Sequence, residues 1–186
     1  ARFTVTQDPD APNGFSSSYK VDVTTADTGL AATEAHRLRT LLEGQDLQQL
    51  AFGTSDAKSI TLSFWVKSNK TGQYSAMLFN QDADPDRKNY KGYTINSADT
   101  WEYKTITYDG DTDSGSSFDN DNGVGMIVWW NLSAGNDRTD STTGWHDSST
   151  PEAVTGQVNL ADSTSNYWQI TGVQLEVGSV ATPFEH

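Results

Sequence analysis

Strict alternation of apolar and polar residues over 59–68 constrains this chain more than any other feature. The apolar residues all lie on one face of an extended chain, because successive side chains of a β-strand point to opposite sides. They are Ile60, Leu62, Phe64 and Val66. The opposite face is polar except for Trp65, which we expect to stand among polar neighbours. A strand of this kind is stable only when its apolar face packs against a second layer.

Short runs with related patterns recur along the chain, separated by segments rich in Gly, Ser, Thr, Asn and Asp. The run Met-Ile-Val-Trp-Trp at 126–130 is apolar on both faces, which is typical of a central strand covered on each side. Many short strands joined by turn-rich segments indicate an all-β sandwich or barrel. The predicted strands are 3–6, 18–24, 37–43, 59–68, 72–79, 91–96, 102–108, 126–132 and 167–177, with a weaker one at 156–160.

The remaining segments are predicted to be turns and loops, with one short helical exception. Residues 46–52 could form a single helical turn capped by Asp46. The composition of 33–42 suits either a helix or a strand, and we favour a strand for its second half. The long polar stretches are predicted loops, at 81–89, 109–125 and 133–153.

Length and charge limit the classes of function. With 186 residues in one continuous pattern, a single domain over 1–186 is expected. There are 25 acidic and 12 basic residues, for a formal net charge of −13. This balance disfavours nucleic acid as a partner, because nucleic-acid affinity depends on clustered Lys and Arg. The chain has no cysteine for disulfides, and no apolar run approaches the roughly 20 residues of a membrane span.

The ends of the sequence suggest a domain taken from a longer protein. The chain begins Ala-Arg-Phe-Thr, without a signal peptide or an initiator Met. It stops soon after the predicted closing strand. His186 is either native or the first residue of a purification tag.

Catalysis has no positive signal in the sequence. None of the three histidines, His36, His146 and His186, lies in a recognisable nucleophile motif, and Gly-x-Ser-x-Gly does not occur. A pair of carboxylates for glycoside hydrolysis is a matter of three-dimensional spacing, which sequence cannot test. We therefore predict a non-catalytic domain.

Calcium is the cofactor that the acidic loops suggest. Asp119, Asp121 and Asn122 stand close together before Gly123, and hard oxygen ligands at such spacing can gather around Ca²⁺. A hydrogen-bonded Asx turn explains the same residues without a metal. A second candidate has alternate spacing, at Asp82, Asp84 and Asp86.

Aromatic side chains beside polar ones are the main functional signal. The flat C–H faces of sugars stack on Trp and Tyr, while amides and acids bind the hydroxyls. Trp101 and Trp168 are expected to pack within the fold, and one of Trp129 and Trp130 should face away from the core, depending on register. Trp145 has no apolar sequence neighbours and is expected to be exposed. The predicted ligand-binding residues are Trp145, Trp65, Tyr90, Tyr93 and Trp129.

Several stretches together resemble a known family. They are Leu-Glu-Gly-Gln-Asp-Leu-Gln (42–48), Thr-Leu-Ser-Phe-Trp-Val-Lys-Ser-Asn-Lys-Thr-Gly (61–72), the strand pair around Ala-Asp-Thr-Trp (93–107), Phe-Asp-Asn-Asp-Asn (118–122) and the closing Asn-Tyr-Trp-Gln-Ile-Thr-Gly-Val-Gln-Leu-Glu-Val-Gly-Ser-Val-Ala-Thr-Pro-Phe-Glu (166–185). In this order they resemble jelly-roll, carbohydrate-binding-module-like domains of tailed-bacteriophage virion proteins.

The resemblance implies a jelly-roll β-sandwich of two antiparallel sheets with long loops. It implies binding to polysaccharides or cell-surface glycans in a tail fibre or appendage, with other virion proteins as partners and a virion or extracellular location. It also implies a structural calcium near the termini, which would involve Asp8, Asp10 and Glu176. Two alternatives remain open: a structural virion module without a sugar ligand, and an accessory domain of a glycan-degrading enzyme.

Overall fold

The computed structural model describes residues 2–147 and 151–185, so His186 lies outside the described residues. Three 3₁₀ helices accompany the strands within these residues, at Gly44–Leu50, Asn136–Arg138 and Leu160–Asp162. The strands are β1 (Phe3–Asp8), β2 (Ser18–Val23), β3 (Ala35–Glu43), β4 (Ile60–Ser68), β5 (Gly72–Asn80), β6 (Arg87–Ile95), β7 (Glu102–Tyr108), β8 (Val124–Ala134), β9 (Thr139–Asp140), β10 (His146–Asp147), β11 (Ala153–Val154) and β12 (Tyr167–Val177).

Two five-stranded antiparallel sheets form the fold. Sheet I has the strand order β1-β2-β12-β4-β7, and sheet II has the order β10-β6-β5-β8-β3. Strands β2, β12, β4 and β7 face β3, β8, β5 and β6, which is the strand order of an eight-stranded jelly roll. Strand β1 extends one edge and β10 another, while β9 and β11 form a separate parallel pair. The fold is therefore the predicted jelly-roll sandwich.

The core lies between the two sheets and is built from alternate residues of each strand. The apolar face of β4 is fully buried there, as its alternation predicts. Phe64 joins the sheets, because its ring meets Trp130 of β8 at 5.9 Å and Tyr93 of β6 at 5.2 Å, both edge-on. Trp168 of β12 is also fully buried, as predicted.

The outer face of β4 is less open than the sequence suggests. Thr61 and Ser63 are buried there, and the Lys67 side chain is largely buried as well. Thr61 donates or accepts a hydrogen bond with Thr107 across the strand pair, and its hydroxyl also bonds to the carbonyl of Gly178. Trp65 is half-buried among these residues. Its polar neighbourhood is confirmed, but that neighbourhood is packed rather than solvated.

All nine strands predicted with the clearer pattern are present; β7 and β12 have the predicted ends, and the other seven differ by a few residues at one or both ends. Strand β6 begins at Arg87, so the last residues of the predicted loop 81–89 belong to a strand. The weaker strand at 156–160 is wrong: the chain turns there, and only Gln157 forms an isolated bridge, to Gln73. The predicted loop 133–153 is wrong in part, because it contains a 3₁₀ helix and the short strands β9 and β10.

The helical turn predicted at 46–52 is a 3₁₀ helix that begins two residues earlier, at Gly44. Asp46 therefore lies inside its first turn, and Glu43 at the N-cap makes no side-chain capping bond. Strand β3 confirms the extended interpretation of the second half of 33–42. No helix in the described part of the chain has the length and apolarity that crossing a membrane requires.

A bulge divides β12 into two halves. Pairing with β4 is continuous up to Thr171 and resumes at Gln174. Gly172, in the bulge, has a φ of +57°, the left-handed region that favours glycine. A Cβ atom at this position would lie 2.5 Å from the ring of Phe15. The bulge therefore requires glycine for both its backbone angle and its packing.

We predict that Gly172→Ala lowers the free energy of unfolding by about 2 kcal/mol, since it adds a left-handed Ala and an overpacked contact. The melting temperature should fall by several degrees, at about 2–4 °C per kcal/mol for a chain of this size. Thermal unfolding followed by circular dichroism measures the change. Gly29→Ala is the matched control, because a Cβ at Gly29 meets nothing within 4 Å. Equal melting of the two variants would contradict the described bulge.

Candidate functional site

Four aromatic side chains lie together on the solvent-facing side of sheet I. Trp65 of β4 and Tyr103 of β7 are cross-strand partners, with ring centroids 5.3 Å apart. Tyr167 begins β12, next to the buried Trp168, so alternation directs its ring outward. Trp101 directly precedes β7. We call Trp65, Trp101, Tyr103 and Tyr167 the aromatic platform.

The platform is partly exposed to solvent. Tyr103 is 43% exposed, and the other three rings are half-buried. The platform crosses β12, β4 and β7, which are adjacent strands of one sheet. Since neighbouring strands lie about 4.8 Å apart, the platform is about 10 Å wide. It is therefore a surface on which an extended ligand can lie, rather than a pocket.

Lys67 lies between two rings of the platform. Its Nζ atom is 5.4 Å from the centroid of Trp101 and 5.9 Å from that of Tyr167, within the range of cation–π attraction. Lys67 also forms an ion pair with Asp10, and Trp101 Nε1 donates to the other carboxylate oxygen of Asp10 at 3.2 Å. This network holds Trp101 and Tyr167 in position before any ligand arrives.

Tyr167 is held from a second side. Its hydroxyl donates to Asp99 Oδ1 at 2.5 Å. Burial of the hydroxyl raises the pKa of Tyr167, and the bond to Asp99 and the negative charge of that carboxylate raise it further. Lys20 lies over the same ring at 5.2 Å and pairs with Asp8 and Asp22. Aromatic faces thus alternate with carboxylates and amines, a combination that suits a ligand with apolar faces and hydroxyl edges.

Trp129 lies on the outer face of sheet II and is closed off by its neighbours. The register directs Trp130 into the main core and Trp129 away from it. Arg37 lies over the Trp129 ring at 4.2 Å, and the Phe79 ring is stacked on it at 5.5 Å. The Arg37 guanidinium is held by two hydrogen bonds to Glu152, at 2.6 and 3.0 Å. Only 9% of Trp129 is exposed, so its ring faces are not open for stacking.

Tyr90 lies on the same outer face, beside a polar cavity of about 480 Å³. The residue is 2% exposed, and its hydroxyl donates to the Asp140 carboxylate. Burial and this bond both raise the pKa of Tyr90. Lys91 and Asp109 also line the cavity. Tyr90 therefore contributes a wall to a polar cavity rather than an exposed ring.

Tyr93 and Trp145 occupy positions that the sequence did not predict. Tyr93 belongs to the main core, where its ring is stacked on Tyr74 at 5.7 Å, and burial raises its pKa well above the ordinary value. A residue in this position cannot contact a surface ligand. Trp145 is half-buried rather than fully exposed. Its ring packs edge-on against Phe52 at 5.3 Å, and Nε1 donates to the carbonyl of Asp109 at 2.6 Å.

Of the five predicted ligand-binding residues, only Trp65 belongs to the platform. Trp129 and Tyr90 are brought together, but in a closed cluster on the other sheet. Tyr103 and Tyr167 were missed, although a signal for both was present. In a strand, residues an odd number of positions apart point to opposite faces. Tyr103 lies an odd number of positions from the buried Ile106 and Tyr108, and Tyr167 directly precedes the buried Trp168, so both tyrosines point outward.

The structure joins Asp82 to the acidic loop at 118–123. The amide of Asp119 donates to Asp82 Oδ2 at 3.0 Å. Asp121 Oδ1 accepts from the amide of Gly123 at 2.8 Å, which is the Asx turn. Burial raises the pKa of Asp82, and the nearby charges of Asp119 and Asp121 raise it further. Asn122 is exposed beside these carboxylates.

The oxygen atoms of this loop are of the kind that Ca²⁺ binds, but several are already engaged. The carbonyls of Asp121 and Gly123 accept from the amides of Gln45 and Gly44, at 2.9 and 3.1 Å. Among residues 2–147 and 151–185, no three His, Asp or Glu side chains are grouped so that they could hold a metal ion. Calcium binding by Asp119, Asp121 and Asn122 stays a prediction.

The calcium site implied near the termini is not assembled. Asp10 pairs with Lys67, near one end of β4. Glu176 is opposite Thr61, near the other end, and its carboxylate accepts from the amide of Thr182. Six residues of strand separate these points, or about 20 Å. Asp8 and Asp10 therefore cannot share an ion with Glu176.

Comparison with known proteins gives a likeness in fold. No protein-family model matches the sequence, and no curated protein does. The enzymatically active domain of bacteriophage CBA120 tailspike protein 4 is 15% identical over 94% of this chain, which spans 18% of that structure, with a TM-score of 0.49. A CBM4 structure is 14% identical, with coverages of 94% and 77% and a TM-score of 0.42. The CBM22-1 xylan-binding domain from Paenibacillus barcinonensis Xyn10C is 11% identical, with coverages of 96% and 83% and a TM-score of 0.40.

We predict that Asp82→Asn stabilises the protein at neutral pH. The raised pKa means that the folded state resists ionisation of Asp82, so the charged form destabilises the fold once the pH exceeds the ordinary value of about 4. Asn removes the charge and keeps an acceptor for the Asp119 amide. The variant should melt higher than the parent at pH 7 and equally near pH 3, where both side chains are neutral. Asp56→Asn, in an exposed turn, is the control. A gain that persists near pH 3 would show that charge is not its cause.

The calcium prediction has its own test. If Ca²⁺ binds the folded loop, millimolar CaCl₂ should raise the melting temperature relative to a chelator, because a ligand that binds only the folded state stabilises it. Asp121→Asn should abolish the rise. Equal melting temperatures with calcium and with chelator would contradict calcium binding, and these residues would then have only the role of stabilising their turn by hydrogen bonds.

Proposed function

We propose that this chain is a non-catalytic glycan-binding domain and that the aromatic platform is its binding surface. The observation that carries the proposal is the outward pair of Trp65 and Tyr103, flanked by Trp101 and Tyr167 on the same face of sheet I. Aromatic rings offer a large apolar area at a small cost in side-chain entropy, and sugar rings present matching C–H faces.

The polar groups around the platform support binding rather than chemistry. Asp10 is held by Lys67 and by the Trp101 indole, and Asp99 accepts from Tyr167. These carboxylates position the rings, and their remaining oxygen lone pairs can accept hydrogen bonds from sugar hydroxyls. The proposed role of each is therefore to orient a ligand that the rings bind.

The biological setting of the proposal comes from the sequence resemblance to phage virion domains. A shallow platform binds one glycan weakly, and many copies on a tail fibre or appendage would add their affinities. Adsorption to polysaccharide or cell-surface glycan, from a virion or extracellular location, is the function that this arrangement would serve. Neighbouring virion proteins would then be structural partners.

The alternative of a structural virion module rests on the same six tryptophans. Trp129, Trp130 and Trp168 are buried, as a purely structural role would require. Trp65, Trp101 and Trp145 are only half-buried. Two of these three belong to the platform, and this favours ligand binding over a spacer.

The test is a glycan array probed with the domain in multivalent form, alongside two single variants. Tyr103→Ala removes an exposed platform ring, and Tyr19→Ala removes a ring of nearly equal exposure, 45%, that lies outside the platform. We expect Tyr103→Ala to weaken binding to the recognised glycan about tenfold, which corresponds to about 1.4 kcal/mol. Tyr19→Ala should bind like the parent.

Circular dichroism and thermal melting of both variants establish that each is folded. Equal loss in the two variants would place the ligand elsewhere on the surface. If the folded parent binds no glycan on the array, the structural module is favoured.

A further inference from the structure

Strand β3 leaves one edge of sheet II unpaired. It pairs with β8 on one side, and no other described strand adjoins it. Arg39, Thr40 and Leu41 are exposed at this edge, and Leu41 is 49% exposed. A free edge presents a row of unpaired amides and carbonyls, which is a template for another strand.

Strand β3 lacks most of the usual protections of an edge strand, although it carries the charged residues Arg37, Arg39 and Glu43. It contains no proline, and its pairing with β8 is regular from Arg37 to Leu42. The pair has two irregularities, and in both the extra residue lies on β8. At the first, His36 pairs with Ser133 and Arg37 with Asn131. At the second, Leu42 pairs with Met126 and Glu43 with Val124. Strand β3 itself therefore stays extended and straight enough to accept a partner strand.

The charges on β3 are self-complementary. Arg39 and Glu43 lie two residues to either side of Leu41, so all three share one face of the strand. When two copies of β3 pair antiparallel with Leu41 opposite Leu41, each Arg39 comes opposite Glu43 of the other copy. Arg39 forms no ion pair with any described residue of its own chain, and Glu43 accepts only a hydrogen bond from Gln45.

An apolar groove adjoins the same edge. It has a volume of about 940 Å³, opens between the two sheets, and reaches from β3 to the second half of β12. Leu38 and Leu42 line it on the β3 side, and Val173 and Leu175 line it on the β12 side. A second copy paired through β3 would bring its own groove next to this one, so both apolar openings would be covered from solvent.

We propose that two copies of the chain associate through antiparallel pairing of β3 with β3, about a two-fold axis at Leu41. The two sheets II would join into one continuous sheet. Two reciprocal ion pairs, Arg39 with Glu43 of the second copy and the converse, set the register, and the Leu41 side chains meet at the axis. An isologous contact of this kind closes on itself as a dimer. The dimer would carry two aromatic platforms.

The test is analytical ultracentrifugation of the whole chain at about 0.15 M salt, which screens the repulsion between two copies of formal charge −13. Arg39→Glu and Glu43→Arg each put like charges opposite one another at two places, and each should raise the dimer dissociation constant about tenfold. The double variant R39E/E43R should restore the parent value. A mixture of the two single variants should form mixed dimers, because every cross-strand pair then has opposite charges.

Lys58→Glu is the matched control for Arg39→Glu, since it makes the same charge change at an exposed position outside β3. It should leave the dissociation constant unchanged. A parent chain that stays monomeric up to about 1 mM overturns the proposal. So does a dimer that both single reversals leave intact, or a double variant that stays as weak as either single one.

Discussion

Alternation across the sheets is the constraint on which the rest of the structure depends. At three places two aromatic residues are adjacent in sequence, so that one must face the core and the other must face outward. The pairs are Phe64 with Trp65, Trp130 with Trp129, and Trp168 with Tyr167. The register of β4, β8 and β12 thereby decides both the core and the outer surfaces. A shift of one residue in any of these strands would move an indole or phenyl ring from the core to the surface.

The two outer faces differ because of what covers them. On sheet II, Arg37 donates a hydrogen bond to Glu152, which is 115 positions away in sequence. The Arg37 guanidinium covers one face of the Trp129 ring. Residues 136–147 and 151–157, which include β9 and β11, supply this cover, since Asp140 also holds Tyr90. On sheet I, the platform keeps its rings at the surface. Part of the polar segment that was predicted as a loop at 133–153 thus covers a second apolar cluster.

Local pattern was sufficient for the strands and insufficient for the site. The nine strands follow from alternation and turn residues, which act over a few positions, whereas the jelly-roll arrangement was expected from the family resemblance. Tyr93 was predicted as a ligand-binding residue on a strand at 91–96, whereas the register of β6 directs its side chain into the core. Contacts between distant segments decide the other differences. Trp145 packs on Phe52, and Asp82 accepts a hydrogen bond from the amide of Asp119. Neither contact can be predicted from the neighbouring residues in the sequence.

Lys67 shows how one side chain links the fold to the platform. The alternation of β4 places it on the outer face, yet it is largely buried, because its ammonium group pairs with Asp10 and its stem lies between two rings. A buried charge without a partner would destabilise the fold, so Asp10 is needed for stability as well as for the position of Trp101. Rings that are fixed in advance lose little freedom when a ligand stacks on them, and this preserves affinity on a shallow surface. Lys67 and Lys20 are both paired with aspartates in a strongly acidic chain. The proposed glycan ligand would therefore be uncharged rather than acidic.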